Sequence, residues 1–443
     1  VSMKINPSHL PGFNNWKIVD LESGDIVRTL SKTSSAHIYL GDFMPGEGRL
    51  YKLAPVMQEG GTLVADESVS GVNIVCKDTV KNNGKNIRIN NGSAIQFKSG
   101  SGIRMSGGTF TCMNNSVLSG FNNEIWNGVF LYNTGIDSVL NSTFSNAKTA
   151  ISIVNTQSAS SVNRVFMNNT FNISSGSGTF KGIYGENNYK LLIQNNSFIM
   201  PSVSGGSLPY TGIYLKNTIS QGVEAAAEEE GPSITPYNLL LINNYFTNGS
   251  AGIILDNYIS NLLPYYIKSN TFNSPSTLNM LGRNVTGLIK DNNFNSMNVP
   301  IGIHLITSSP DMYNNYIGAR DVSLHLIGHC YPNLAPTISN DQMIWRGGNN
   351  RLTAANFDNI QLGLSGNPFT DWGHNRFTAL DTSAYHIYGW VDTSVHQYNS
   401  RDNCWYLNGN PRIYLRRNAS TPAIPTLTYS TGIDCSVEID PSG

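Results

Sequence analysis

The chain has 443 residues, 40% of them hydrophobic and only 13% charged, with a formal net charge of −1. Ordinary soluble domains carry roughly 25% charged residues, and no Lys/Arg patch concentrates the few present here. Nucleic acid and anionic membrane are therefore not expected as partners, and the absence of an 18-residue apolar run argues against membrane insertion.

Gly, Asn, Ser and Thr take the place of the missing charge, a mixture that suits turns and β surfaces better than helices. Val1-Ser2-Met3-Lys4 does not read as a translation start, and the chain breaks off at Asp440-Pro441-Ser442-Gly443. The expectation is a mature or trimmed piece of a longer secreted protein. The five cysteines, Cys76, Cys112, Cys330, Cys404 and Cys435, form no Cys-x-x-Cys pair. A zinc site is therefore not expected, and buried small hydrophobes are the plain reading for most of them.

Residues 1–55 show strand patterns at Trp16-Lys17-Ile18-Val19, Ile26-Val27-Arg28, His37-Ile38-Tyr39-Leu40 and Leu50-Tyr51-Lys52-Leu53, with turns at Glu22-Ser23-Gly24 and Pro45-Gly46-Glu47-Gly48. So short a piece is marginal as a domain and reads as the tail of a β-sandwich. From residue 56 the character changes. Val72-Asn73-Ile74-Val75, Ile87-Arg88-Ile89, Ile95-Gln96-Phe97 and Ile103-Arg104-Met105 alternate cleanly, as the opening turns of a solenoid would.

The repeat then becomes explicit. Asn, any residue, and a large apolar residue recur at Asn169-Thr170-Phe171, Asn196-Ser197-Phe198, Asn244-Tyr245-Phe246, Asn270-Thr271-Phe272, Asn292-Asn293-Phe294 and Asn315-Tyr316-Ile317. Later copies are Asn350-Arg351-Leu352, Asn375-Arg376-Phe377 and Asn403-Cys404-Trp405, and Asn141-Ser142-Thr143-Phe144 is a degenerate first one. A second element, Gly-Ile-x-Leu, follows: Gly212-Ile213-Tyr214-Leu215, Gly252-Ile253-Ile254-Leu255 and Gly302-Ile303-His304-Leu305. A third apolar stretch precedes each Asn, as at Leu191-Leu192-Ile193 and Leu239-Leu240-Leu241-Ile242.

Apolar residues at i and i+2, interrupted by Gly and Asn, make short strands. One coil of such strands cannot bury its own apolar face, whereas parallel stacking of coils about 4.8 Å apart does so. The repeated Asn is expected both to occupy a left-handed turn and to form an amide ladder. The following Phe is expected in an interior ring stack. The fold expected is all-β: a right-handed parallel β-helix over 56–429, preceded by the 1–55 segment and followed by a C-terminal tail or linker, 430–443.

The Asn-rich coils resemble the right-handed parallel β-helix repeat proteins, whose fold is shared by pectate-lyase-like enzymes and phage tailspikes. A weaker resemblance, carried by Pro45-Gly46-Glu47-Gly48-Arg49-Leu50-Tyr51-Lys52-Leu53 before the coils, is to surface or secreted proteins of Bacteroidota-type bacteria. The first implies a fold and leaves function open between enzymes, adhesins and plain rods. The galacturonan hydrolases of that class use Asn-Thr-Asp, Asp-Asp, Gly-His-Gly and Arg-Ile-Lys. Here Asp-Asp is absent, and Asn133-Thr134-Gly135, Gly328-His329-Cys330 and Arg88-Ile89-Asn90 each lack the reactive residue. No catalytic residue carries over.

Asp256, Asp291, Asp311 and Asp321 read as turn caps, with an acid pair or a calcium site as the sharper alternative. The middle position of Gly-Ile-x-Leu points away from the core. Down the stack it reads Tyr184, Tyr214, Ile254, a residue near Leu281, His304, His325, Gln361, Tyr388 and Tyr414. The candidate ligand-binding residues are therefore Tyr184, Tyr214, His304, His325, Tyr388 and Tyr414, an outward stripe suited to sugar rings. Against it stands the ordinary preference of aromatics for β surfaces. No third ligand accompanies His304 and His325, so no metal is expected there.

The insertion 219–237, with Glu224-Ala225-Ala226-Ala227-Glu228-Glu229-Glu230, reads as a solvated loop or as a shield over a groove. Trp345, Trp372, Trp390 and Trp405 are either a platform or packing. The leading expectation is a secreted or cell-surface rigid scaffold, adhesin or rod that binds a polysaccharide or cell-surface glycan without catalysis and without a cofactor. A polysaccharide lyase or glycoside hydrolase, and a fibre subunit that self-associates end to end, are the alternatives.

Overall fold

Two neighbouring columns of side chains, one buried and one left-handed, run along each turn of this chain and explain why its sequence repeats. The computed structural model describes most of 2–155, 164–202, 209–217, 239–258 and 266–327, and beyond 327 little more than the strands. The chain divides into two compact units, Val1–Tyr189 and Lys190–Gly443. Each contains stacked coils of parallel β-helix.

In the first unit, the Gly-Ile strands Val80–Lys81, Gly102–Ser106, Gly128–Tyr132, Thr149–Val154 and Phe180–Glu186 pair in parallel. Two further faces, one aliphatic and one carrying the Asn-x-Phe motif, are built alike: Ile87–Asn90 pairs with Phe110–Cys112, and Ala94–Phe97 with Val117–Gly120. In the second unit, Tyr210–Lys216, Ala251–Tyr258, Leu278–Lys290, Ile301–Ile306 and Val322–Ile327 form the Gly-Ile face.

The rings stack as the spacing predicts. Phe144 lies on Phe171 with centroids 5.5 Å apart in the first unit. In the second, Phe198, Phe246, Phe272 and Phe294 follow at 5.0, 4.7 and 4.6 Å, all buried. Ile317, Leu352, Phe377 and Trp405 continue that position in register.

The Asn assignment needs one correction. The motif Asn does not sit at the left-handed turn. That conformation belongs to the residue before it: Asn168, Asn195, Asn243, Ser269, Asp291 and Asn314, with φ between 51° and 58°. The motif Asn turns inward and is buried. Asn196 Nδ2 donates to Asn244 Oδ1, Asn244 to Asn270, Asn270 to Asn292 and Asn292 to Asn315, each at 3.0 Å. The same nitrogens of Asn244 and Asn270 also donate to the carbonyls of Ile193 and Leu241, at 2.9 and 2.8 Å. Both amide hydrogens are thus used, which a buried amide requires.

The recurrent spelling of Gly-Ile-x-Leu has an equally local cause. A Cβ on Gly252 would lie 2.3 Å from the Phe272 ring, and one on Gly212 2.5 Å from Phe246. Only glycine lets the strand pass the stacked rings.

Residues 1–55 form antiparallel strands: Asn15–Asp20 between Ile26–Ser31 and Tyr51–Pro55, and Ser2–Ile5 with Ala36–Tyr39. They are tied to the first coil by Glu67. Its buried carboxylate accepts from the backbone N–H groups of Asn14 (2.8 Å) and Asn15 (3.0 Å) and from the Asn15 side chain (3.1 Å).

Candidate functional site

Period-2 alternation sends every second side chain of the Gly-Ile face outward. In the second unit one register column runs through positions Tyr214, Ile254, Leu281, His304, His325, Gln361, Tyr388 and Tyr414. The backbone register expected from the sequence is therefore kept from Tyr214 to Tyr414. The side chains of Gln361, Tyr388 and Tyr414 lie outside the described residues, as do those of Trp345, Trp390 and Trp405, Trp372, and the insertion 219–237.

Its middle does not face open water. Ile254 is 5% exposed and Leu281 3%, in a small cluster with Ala251 and Leu278 against which Tyr214, Ile301 and Ile306 pack. The continuous accessible stripe inferred from alternation is thus interrupted: alternation assigns a side of the sheet, and what lies over that side is a separate matter. Tyr214, His304 and His325 themselves are half-buried.

The Tyr214 hydroxyl donates to Asp256 Oδ2 at 2.8 Å, and Arg283 Nη1 donates to Asp256 Oδ1 at 2.7 Å. Burial, and then the hydrogen bond to that carboxylate, raise the Tyr214 phenol above its ordinary value. Asp256 lies inside the strand Ala251–Tyr258 and Asp311 inside Ser309–Tyr313, so neither is the turn cap expected. Asp291 does occupy a left-handed turn, and Asp321 accepts from Arg320 at 2.8 Å. Beside Arg283, the His304 and His325 rings stack at 4.6 Å. Desolvation, with the neighbouring His325 and Arg283 charges, lowers His304 to about 4, and desolvation also lowers His325. Both shifts favour the uncharged imidazole.

In the first unit the outward column is Lys81, Arg104, Phe130, Ser152 and Tyr184. Tyr184 donates to Glu186 Oε2 at 2.6 Å, and Lys181 Nζ stands 4.9 Å over its ring. Three coils before Tyr184, the Arg104 guanidinium lies 5.4 Å from the Phe130 centroid. These residues border an open groove of about 370 Å³ lined by Thr79, Arg104, Asn127, Phe130, Thr149 and Ser152, with Gly102 and Gly128 also contributing. Arg104 and Phe130 were not among the site residues expected. The signal was present, because Ile103-Arg104-Met105 and Val129-Phe130-Leu131 alternate as Ile213-Tyr214-Leu215 does, but without the Gly-Ile-x-Leu spelling.

Among the described residues, no three His, Cys, Asp or Glu side chains gather as a metal centre would need. Cys76, Cys112 and Cys330 are buried free thiols, and burial pushes Cys76 and Cys112 up to about 12. No helix among the described residues is long and apolar enough to cross a membrane.

No protein-family model and no curated protein matches the chain. Among solved structures, the crystal structure of the periplasmic alginate epimerase AlgG is similar over 78% of this chain and 77% of that one, with 11% identity and a TM-score of 0.30.

Proposed function

We propose that this protein is a secreted or cell-surface β-helix that binds polysaccharide along the outward side of its Gly-Ile face without cleaving it. The observation that carries this is the register column: Tyr214, His304 and His325 in one unit, and Phe130 and Tyr184 in the other, stand on parallel coils. Parallel coils repeat about every 4.8 Å, so within each unit these rings stand at a regular spacing on its own sheet. The C–H faces of sugars pack on such rings.

The same face is poorly equipped for hydrolysis. Glycosidases need a protonated carboxyl and a carboxylate on either side of the bond. Asp256 is held by Arg283 and by the Tyr214 hydroxyl, and Glu186 by the Tyr184 hydroxyl. An end-to-end fibre is disfavoured because the 1–55 segment is bonded over the first coil through Glu67.

One arrangement favours a second reading, an eliminating carbohydrate-active enzyme. The His304 and His325 rings lie beside a Tyr-carboxylate-Arg chain, and an uncharged imidazole can accept a proton. A glycan-binding screen run beside assays for new reducing ends and for unsaturated uronate decides between the two. Binding with no product is expected. Turnover lost in His304→Ala would establish the enzyme instead.

A further inference from the structure

We infer that the groove beside Arg104 and Phe130 is a subsite for the carboxylate of an acidic, uronate-bearing sugar. This rests on the proposal that the Gly-Ile face binds polysaccharide, and it names the class of sugar. The lining contains one cation, Arg104, and no carboxylate. Arg104 is exposed and forms no ion pair among the described residues. Its one defined contact is with the Phe130 ring, at 5.4 Å.

Cations flank the groove on both sides along the stack. Lys81 is the register partner of Arg104 on the preceding coil. Lys181 is the register partner of the lining residue Thr149 on a following coil. Phe130 and Ser152 succeed Arg104 in the same column. A cation, an aromatic wall and a hydroxyl thus follow one another coil by coil.

That order fits a sugar that offers a carboxylate, an apolar ring face and hydroxyls. A guanidinium stacked on an arene keeps its outer N–H edge free, and that edge matches a carboxylate in bidentate fashion. Thr149 adds a hydroxyl, and Asn127, whose Nδ2 donates to the Gly100 carbonyl, adds an amide oxygen suited to ring hydroxyls. Along the groove only glycine lets neighbouring coils approach so closely: a Cβ on Gly102 would lie 2.5 Å from the Gly128 carbonyl oxygen, and one on Gly128 1.7 Å from that of Thr149. A volume of about 370 Å³ lies within the range of small-ligand sites, roughly 300–1,000 Å³.

The test uses the whole chain, with polygalacturonate and hyaluronate as uronate probes. Fully methyl-esterified polygalacturonate and dextran are the neutral controls, and dextran sulfate offers the anion from another source. Expected are retention by both uronates, loss of retention on methyl esterification, and weakening as salt shortens the Debye length from about 10 Å at 0.1 M to about 3 Å at 1 M. Arg104→Gln should weaken uronate binding at least about ten-fold without moving the thermal transition, since the side chain is exposed. Arg104→Lys should recover only part of the loss.

Equal binding of esterified and free polymer, unchanged in Arg104→Gln, would overturn the uronate assignment and leave polysaccharide binding standing. Preference for dextran sulfate over both uronates would overturn the carboxylate. Failure to bind any of the five polymers, or other glycans in the screen, would remove both proposals.

Discussion

The imidazoles of His304 and His325 lie face to face, centroids 4.6 Å apart and planes inclined by 22°, on strands that pair in register. His304 Nε2 and His325 Nδ1 are buried without a hydrogen-bond partner among the described residues. An ordinary imidazole titrates near 6.5, and His304 is lowered to about 4. Between those values the unfolded chain binds the proton and the folded one does not. Stability is therefore complete above about pH 6.5 and declines as pH falls towards 4. The thermal midpoint should drop more between pH 7 and pH 4.5 in the wild type than in His304→Phe. Identical drops would show that the pair does not govern the acid response.

The two Asn columns should respond differently to glycine. Asn244 accepts from the N–H and Nδ2 of Asn196 and donates to Ile193 and Asn270. Asn244→Gly or Asn244→Ala orphans buried groups and should cost about 1–3 kcal/mol or more. Asn243, with φ 52°, should tolerate glycine with little loss, whereas Asn243→Ala should cost about 1–2 kcal/mol. Denaturant titration of the four variants measures this. Equal losses for the two glycine variants would contradict the division of roles.

Gly252→Ala drives a methyl against the Phe272 ring, 2.3 Å away. Overpacking of this kind costs about 1–3 kcal/mol. Phe272→Leu in the same chain should return part of the loss, because the smaller side chain makes room. If the double variant is no better than the sum of the singles, steric conflict is not the cause.

Glu67 holds the antiparallel segment on the first coil. Glu67→Ala leaves its donors without an acceptor in a buried site and should cost about 1–3 kcal/mol. Limited proteolysis should then cut within 1–55 well before the coils. Unchanged cleavage kinetics would show that the segment is held by other contacts.

How much of this was legible beforehand differs by level. Alternation at Ile213-Tyr214-Leu215 and Ile303-His304-Leu305, and recurrence of Asn-x-Phe once per coil, are local patterns. In a stacked coil every local pattern has a like neighbour one repeat away. The parallel fold, the Phe198–Phe246–Phe272–Phe294 stack, the Asn ladder and the His304–His325 juxtaposition therefore all followed from the sequence by itself. What it left open depends on groups brought together from unlike positions. Asn243 and Asn244 are identical letters, and only the path of the turn makes one left-handed and the other a buried amide. Ile254 and Leu281 point to the predicted side, yet burial removes them from water. Tyr214 and Asp256 meet across coils, and Arg104 settles over Phe130, through contacts no repeat encodes. Periodicity sets the direction of a side chain, whereas its partner and its exposure are set by tertiary packing.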